Sequence, residues 1–377
     1  VITGMRQVGK TTLLRQVFDY LGDRPKAWFD LDNPLDQKIF EDIEYRNIYG
    51  RLREAARARE RDRLFIFIEK IQNFPEITRV IKYLIDHYGV KFFVTGSSNF
   101  YLRNLFPESL SGRKFLYELR PFSFGEYLYF ADALAHEALV SHERATLLKP
   151  TTIFEAKSRE LQYAAYLTYG GFPGVVTASD EETKAQTLKN IFASFFEKDL
   201  KILSDYTDVR ELRDLILLLV PRVGSLLDVT KLASELGVDR PKVYGYLEFL
   251  QGVFFLRLLP RFSKSIDRSV AGGRKVYFTD TGLLRAVGAV NDAQLFENAV
   301  VNQLSAYGSV SFYNKRNSAE IDAIVDKEIA FEIKLRAVKK DVERLARLAN
   351  DLGIKKHRVI SRDFVEPGEY LIGSSIL

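Results

Sequence analysis

The segment Gly4-Met5-Arg6-Gln7-Val8-Gly9-Lys10-Thr11 restricts what this chain can fold into more than any other. It reads G-x-x-x-x-G-K-[ST]. A strand-like Val1-Ile2-Thr3 precedes it, and the helical pattern that follows puts Leu13, Leu14, Val17, Phe18 and Leu21 on one face. Strand, glycine turn and helix form the setting in which such a loop closes around phosphate. Gly4 and Gly9 let successive backbone N–H groups point inward, and Arg6, Gln7, Val8 and Thr12 fill the rest of the cradle. Lys10 supplies a point charge for β- and γ-phosphates, Thr11 a hydroxyl for Mg²⁺, and the helix N-terminus favours the anion.

A site of this kind needs a second carboxylate at the end of a buried strand, and Arg63-Leu64-Phe65-Ile66-Phe67-Ile68-Glu69 offers one. Ala27 to Asp32, Lys91 to Thr95 and Lys114 to Leu119 read as further strands, with helical patterns between them. Residues 1–125 are therefore expected to form a doubly wound, mostly parallel α/β sheet, with Gly4, Glu69 and Ser97 at its carboxyl ends. A length of 377 residues calls for two or three domains. The balance of 46% hydrophobic and 28% charged residues excludes long disorder. The net charge of +5 is mild, so nucleic-acid binding would need a local basic patch. Cysteine is absent, which excludes disulfides and Cys-based zinc sites, and the four scattered histidines argue against a histidine-built metal site. The clearest apolar stretch, Leu215 to Val220, is far short of a bilayer span. The expectation is a cytoplasmic protein with no membrane segment, lacking some N-terminal residues because it starts inside a strand.

The glycine loop, Glu69-Lys70-Ile71-Gln72, Thr95-Gly96-Ser97-Ser98, Leu110-Ser111-Gly112-Arg113 and Phe278-Thr279-Asp280-Thr281-Gly282-Leu283 resemble the prokaryotic AAA-type ATPases that carry a conserved C-terminal domain of unknown function. The resemblance implies ATP and Mg²⁺ as ligands. It also implies Ser98 as a polar sensor near the γ-phosphate, and Arg113 as an arginine that reads γ-phosphate charge in cis or across a subunit boundary of a homo-oligomer. A solvated loop arginine is the other reading of Arg113. In the family the second motif reads Asp-Glu-Ile-Gln. Here Glu69 stands in the metal position and Lys70 where the catalytic carboxylate belongs, with Ile71 and Gln72 fixing the register. A protonated Lys70 cannot accept a proton from water. ATP binding is expected, and efficient hydrolysis is not.

Residues 126–204 read as a helical lid or linker without identifiable chemistry. In residues 205–278, Asp228 to Leu236, the Gly237-Val238 turn and Asp239 to Gln251 carry a helix-turn-helix pattern, and Val253 to Leu259 with Lys275 to Phe278 could supply a wing. Arg257, Arg261, Lys264, Arg268, Arg274 and Lys275 against Asp267 make a local basic patch suited to duplex DNA. The second helix offers only Arg240 and Lys242 early on, so an internal docking role is the other reading.

Residues 279–377 carry an α-β-β-β-α-β pattern. If Val325 pairs with Ile329 across Asp326-Lys327-Glu328, Asp322 falls opposite Glu332, with Ala323 on Phe331 and Ile321 on Ile333 on the buried face. Asp322, Glu332 and Lys334 resemble the metal site of restriction-endonuclease-like, PD-(D/E)xK nucleases. That likeness implies Mg²⁺ on Asp322 and Glu332, with Glu297 completing the shell and Lys334 positioning the attacking water. The whole reads as an α/β chain: a P-loop domain, a helical segment with a winged helix, and a small nuclease-like domain. Its expected work is to couple ATP to nucleic-acid binding or processing. The competing expectation is a non-catalytic, ATP-gated protein-interaction switch.

Overall fold

A computed structural model describes residues 1–96, 115–135, 144–149, 152–199, 206–263, 273–315, 319–365 and 370–376. They fall into two compact units. The first comprises residues 1–120 with 252–254, and the second the remainder.

In the first unit, β1 (Ile2–Thr3) runs through the glycine loop into α1 (Lys10–Tyr20), followed by β2 (Lys26–Asp30), α2 (Pro34–Phe40), α3 (Tyr45–Ala55), β3 (Phe65–Glu69), α4 (Ile77–Tyr88), β4 (Lys91–Val94) and β5 (Tyr117–Glu118). Strands β2, β3 and β4 pair in parallel, as do β1 and β5. A parallel bridge from Ile2 to Thr95 and a Gly96 N–H to Ile2 O bond of 3.1 Å join the two ladders, so the lateral order is β2-β3-β4-β1-β5. Helices cover both faces because β3 is apolar on both. Ile66 and Ile68 pack with Phe40, Ile48, Leu52, Ile77, Ile81 and Leu84. Phe67 packs with Leu14, Val17 and Phe18 of α1. On the α1 side Trp28, Phe67 and Phe93 stack in a row across three strands, centroids 5.8 and 4.7 Å apart. The strand expected over Lys114 to Leu119 is shorter, at Tyr117–Glu118, and residue 114 lies outside the described residues.

The second unit opens with helices α5 (Phe124–Phe130), α6 (Ile153–Ser158), α7 (Glu160–Tyr169), α8 (Glu181–Ser194) and α9 (Tyr206–Leu219). Two helices at a turn follow, α10 (Val229–Leu236) and α11 (Arg240–Gly252). Asp228 caps α10 by accepting from Lys231 N–H at 3.0 Å, and Asp239 caps α11 by accepting from Lys242 N–H at 2.9 Å. Gly237 closes α10 in the left-handed region, φ 69°, where a glycine costs least. An antiparallel pair comes next, β6 (Leu256–Pro260) and β7 (Arg274–Phe278). Its first strand starts three residues later than Val253, the start expected from the sequence. After α12 (Thr281–Val287) and α13 (Asp292–Leu304), a five-stranded sheet has the order β12-β11-β10-β9-β8. Its strands are β8 (Val310–Lys315), β9 (Ala319–Val325), β10 (Ile329–Lys334), β11 (Lys356–Ser361) and β12 (Tyr370–Ile372), with α14 (Lys339–Leu352) between β10 and β11. The sequence pattern had not announced β12.

The hairpin register is the expected one over most of its length. Val325 pairs with Ile329 and Ala323 with Phe331, but the β9–β10 ladder stops there. Between Ser311/Ile324 and Tyr313/Ile321 the β8–β9 register slips, a bulge in β9. This corrects the sequence reading. Ile321 does not stack on Ile333; it joins Ile324, Ala330, Leu345 and Ala349 in the cluster against α14. A single extra residue turned it to the other face.

Buried amide side chains of α13 hold it to β7. Asn298, fully buried, accepts from Phe278 N–H at 2.8 Å and donates to Phe278 O at 3.0 Å, and Asn302 donates to the same oxygen at 2.8 Å. The chain leaving β6 also reaches β8, where Phe262 N–H donates to Phe312 O at 2.6 Å. Among the described residues no helix is long and apolar enough to cross a membrane.

Candidate functional site

Within the first unit, Met5 and Val8 are buried and pin the glycine loop to the core, while Arg6 is half-buried and Gln7 exposed. Gly4, Gln7 and Gly9 have φ of 145°, 62° and 94°. A Cβ at Gly4 would lie 2.0 Å from Leu119 O, so only glycine fits. Helix α1 starts at Lys10 with no side-chain cap and no acid in its first turn, which leaves its amides and its dipole for an anion. Lys10 Nζ donates to Gly4 O at 2.8 Å and Met5 O at 2.7 Å, folding over the loop. Thr11 and Thr12 are exposed in the first helical turn.

Glu69 ends β3, 6% exposed, and its Oε1 is buried without a hydrogen-bond partner. A buried carboxylate oxygen with nothing to accept from is costly, and a hydrated cation would satisfy it. Lys70, next in sequence, takes a left-handed φ of 55°. Its ammonium donates to Asp30 at 3.0 Å and to Asp32, both at the carboxyl end of β2. Partial burial pulls the Lys70 pKa down, but the hydrogen bonds to Asp32 and Asp30 more than offset that and leave it raised. Lys70 therefore stays charged and cannot act as a base. Asp30 and Asp32 were not singled out from sequence. The signal available was an acid ending a strand, Asp30, which pairs with Glu69, and a second acid, Asp32, two residues on. Ser98 and Arg113 lie outside the described residues.

A second constellation lies in the second unit. Asp322 Oδ2 accepts from Ile333 N–H at 2.8 Å, taking over where the strand ladder has stopped. Lys334 Nζ lies 2.8 Å from Glu332 Oε1, and Arg344 of α14 pairs with the same oxygen. Glu332 Oε2 is buried without a partner. Beside them, Lys275 Nζ lies 2.7 Å from Glu320 and 3.6 Å from Glu297, while Tyr277 O–H donates to Glu297 at 2.7 Å. Burial, and then the Asp322 charge, push both Glu297 and Glu332 up to about 7. Burial raises Asp322 as well, against the pull of Lys275.

The structure thus gathers Glu297, Asp322, Glu332 and Lys334, and adds Lys275, Tyr277, Glu320 and Arg344. Glu332 itself stands buried, 2% exposed. Two expectations need correction. Lys275 is no phosphate contact, since it is interior and ion-paired. Among the described residues, no three carboxylate or imidazole groups are arranged to hold one metal ion, so the expected shell of Glu297, Asp322 and Glu332 is not formed. The interior place of Lys275 had a signal: Lys275 and Tyr277 share one side of a strand whose other side carries Val276 and Phe278.

These shifts have a consequence for stability. Glu297 and Glu332 bind protons in the folded state up to about pH 7, whereas unfolded they release them near the ordinary 4.5. The folded state therefore holds more protons across that window, and stability falls as pH rises through it. Thermal unfolding of the full chain should give a lower midpoint at about pH 8 than at about pH 5.5. A midpoint that rises over this range would contradict the burial of these acids.

Residues 1–128 match the family model described as an AAA domain. Over that span the first unit is similar to an AAA-type P-loop domain. Beyond the AAA domain, residues 160–294 match a domain of unknown function, DUF8612, and residues 293–367 match another, DUF4143. An uncharacterized protein of Haemophilus influenzae is 28% identical over 88% of this chain and 82% of its own length. The uncharacterized protein MJ1544 of Methanocaldococcus jannaschii is 27% identical over 86% of this chain and 71% of its own. The Aeropyrum pernix ORC1 protein, solved in complex with DNA, is similar at 14% identity and a TM-score of 0.32, over 76% of this chain and 85% of that one.

Proposed function

We propose that the AAA domain binds ATP with Mg²⁺, hydrolyses it slowly, and thereby sets the nucleic-acid binding of the second unit. The observation that carries the first step is the pairing of a Lys10-capped glycine loop with a buried, unpartnered Glu69 oxygen in the same domain. Loop amides and Lys10 hold the phosphates. Thr11 and Glu69 hold the metal shell, which supplies charge neutralisation when bound. Ser98 and Arg113 are assigned to the γ-phosphate on the family resemblance. Hydrolysis is slow because a cation fixed by Asp30 and Asp32 stands where water would need a base. Calorimetric titration of ATP·Mg²⁺ into the full chain tests this reading, and absence of binding removes it.

The nucleic-acid step is supported by a helix pair and an antiparallel hairpin in winged-helix order, and by Arg240 and Tyr244 exposed on α11. Lys242, on the same helix, is tied to Asp208 at 2.8 Å and Glu211 at 2.7 Å. Arg261 donates to Asn314 O. Of the sequence-level patch, Lys264 and Arg268 lie outside the described residues. Duplex DNA should bind at low salt, and Lys264→Ala with Arg268→Ala should lower the log–log salt slope by about 2. No binding at low salt would favour the ATP-gated interaction switch.

A second reading, metal-dependent cleavage by Asp322, Glu332 and Lys334, is favoured by one observation: these groups do converge, with the carboxylates repelling each other. Incubation of supercoiled and linear DNA with Mg²⁺, with and without ATP, tests it. Any cleavage should vanish in Glu332→Ala.

A further inference from the structure

Lys70 is attached in two directions within the first unit. Its backbone is tied toward the glycine loop. The Lys70 N–H donates to Thr95 Oγ1 at 3.4 Å and the Ile71 N–H to Thr95 O at 3.1 Å, and Thr95 bridges Ile2, two residues before Gly4. Its side chain runs the other way, to the carboxyl end of β2, where Asp30 and Asp32 accept from the ammonium and Asn73 also donates to Asp32. Lys70 makes this reversal at a φ of 55°, a conformation a lysine seldom adopts unless its surroundings impose it. The contact with the acids is open to water: 40% of the Lys70 side chain, 35% of Asp30 and 53% of Asp32 are exposed. Ion pairs this exposed contribute little, so the ammonium is held loosely enough to change partner.

We propose that Lys70 distinguishes ATP from ADP, its ammonium leaving Asp30 and Asp32 for the terminal phosphate of ATP and staying on them beside ADP. This role rests on the nucleotide reading above, in which Thr11 and Glu69 hold a metal that bridges the last two phosphates. Lys70 follows Glu69 directly, so it belongs to the terminal-phosphate end of that site. Asp30 and Asp32 face water and lose little when the ammonium departs. A phosphate seated against the loop amides has given up part of its water and gains more from the same cation. ADP has no phosphate at that end, so the ammonium keeps its acids. With either partner Lys70 stays protonated and accepts no proton, which leaves slow hydrolysis as expected.

The test is calorimetric titration of ATP and of ADP, each with Mg²⁺, into the full chain for the parent, Lys70→Met, Lys70→Arg, and Asp30→Asn with Asp32→Asn. Lys70→Met should weaken ATP binding ~10-fold, the scale of one charge-assisted hydrogen bond, and leave ADP binding within about twofold. Lys70→Arg should keep most of the preference for ATP. The acid double variant, whose ammonium has no other partner to leave, should raise the ratio of ATP to ADP affinity, and adding Lys70→Met should cancel that rise. If Lys70→Met does not fold, the acid double variant decides alone. A lysine that only ties β3 to β2 would change both nucleotides equally. That result, or an unchanged ratio in either variant while the parent binds ATP, overturns the proposal and spares the nucleotide reading. A parent that binds no ATP removes both.

Discussion

Lys10→Ala is expected to bind ATP·Mg²⁺ at least ~10²-fold more weakly than the parent chain, because leaving a desolvated charge without its partner typically costs several kcal/mol. The parent ammonium already lies at the loop, donating to Gly4 O and Met5 O, so little ordering has to be supplied when phosphate arrives. The variant loses both the charge and these two hydrogen bonds. Its fold should survive, because the loop is also anchored by buried Met5 and Val8. Circular dichroism checks that anchor and calorimetry reads the affinity. Equal affinity in a folded variant would remove the phosphate-loop assignment.

Lys70 supports the second large effect. Steady-state ATP turnover by the parent should be very slow, and a carboxylate at this position should raise it by ~10²-fold, the scale of one general base. The geometry refines how to do this. Lys70→Glu alone would set a third acid beside Asp30 and Asp32, which now share the ammonium. Combining it with Asp32→Asn relieves that repulsion. Lys70 is 40% exposed at its side chain, so the fold should lose little when the pair is broken. Lys70→Ala serves as the control: it removes the cation without adding a base, and its turnover should stay near the parent's. A parent enzyme with an ordinary AAA-type rate, or a rise in Lys70→Ala as large as in the carboxylate variant, would show that Lys70 is not what limits hydrolysis.

The glycine loop and the strand ending in Glu69 were legible because their signals are local. Eight residues fix the loop, a glycine with positive φ marks each end, and Glu69 ends an apolar run long enough to be a strand buried on both faces. The hairpin register was legible for the same reason, since a three-residue turn and the alternation of Ala323 and Phe331 leave one pairing that buries both. Nothing local could say that Lys70 would meet Asp30 and Asp32, 40 and 38 residues earlier in the chain.

The sequence by itself determined most of the strands, where the glycine loop sits and which acids can share the C-terminal hairpin, because period, turn chemistry and spacing act over a few residues. Only the tertiary structure decided that Lys275 is an interior cation, that a bulge in β9 carries Ile321 to the α14 side, and that β12 extends the sheet. Each of these depends on which strands lie side by side. Alternation names the face on which a side chain stands. The neighbour that balances its charge is set by lateral order and by how the helices close over the sheet, where desolvation makes an unpaired charge too costly to keep.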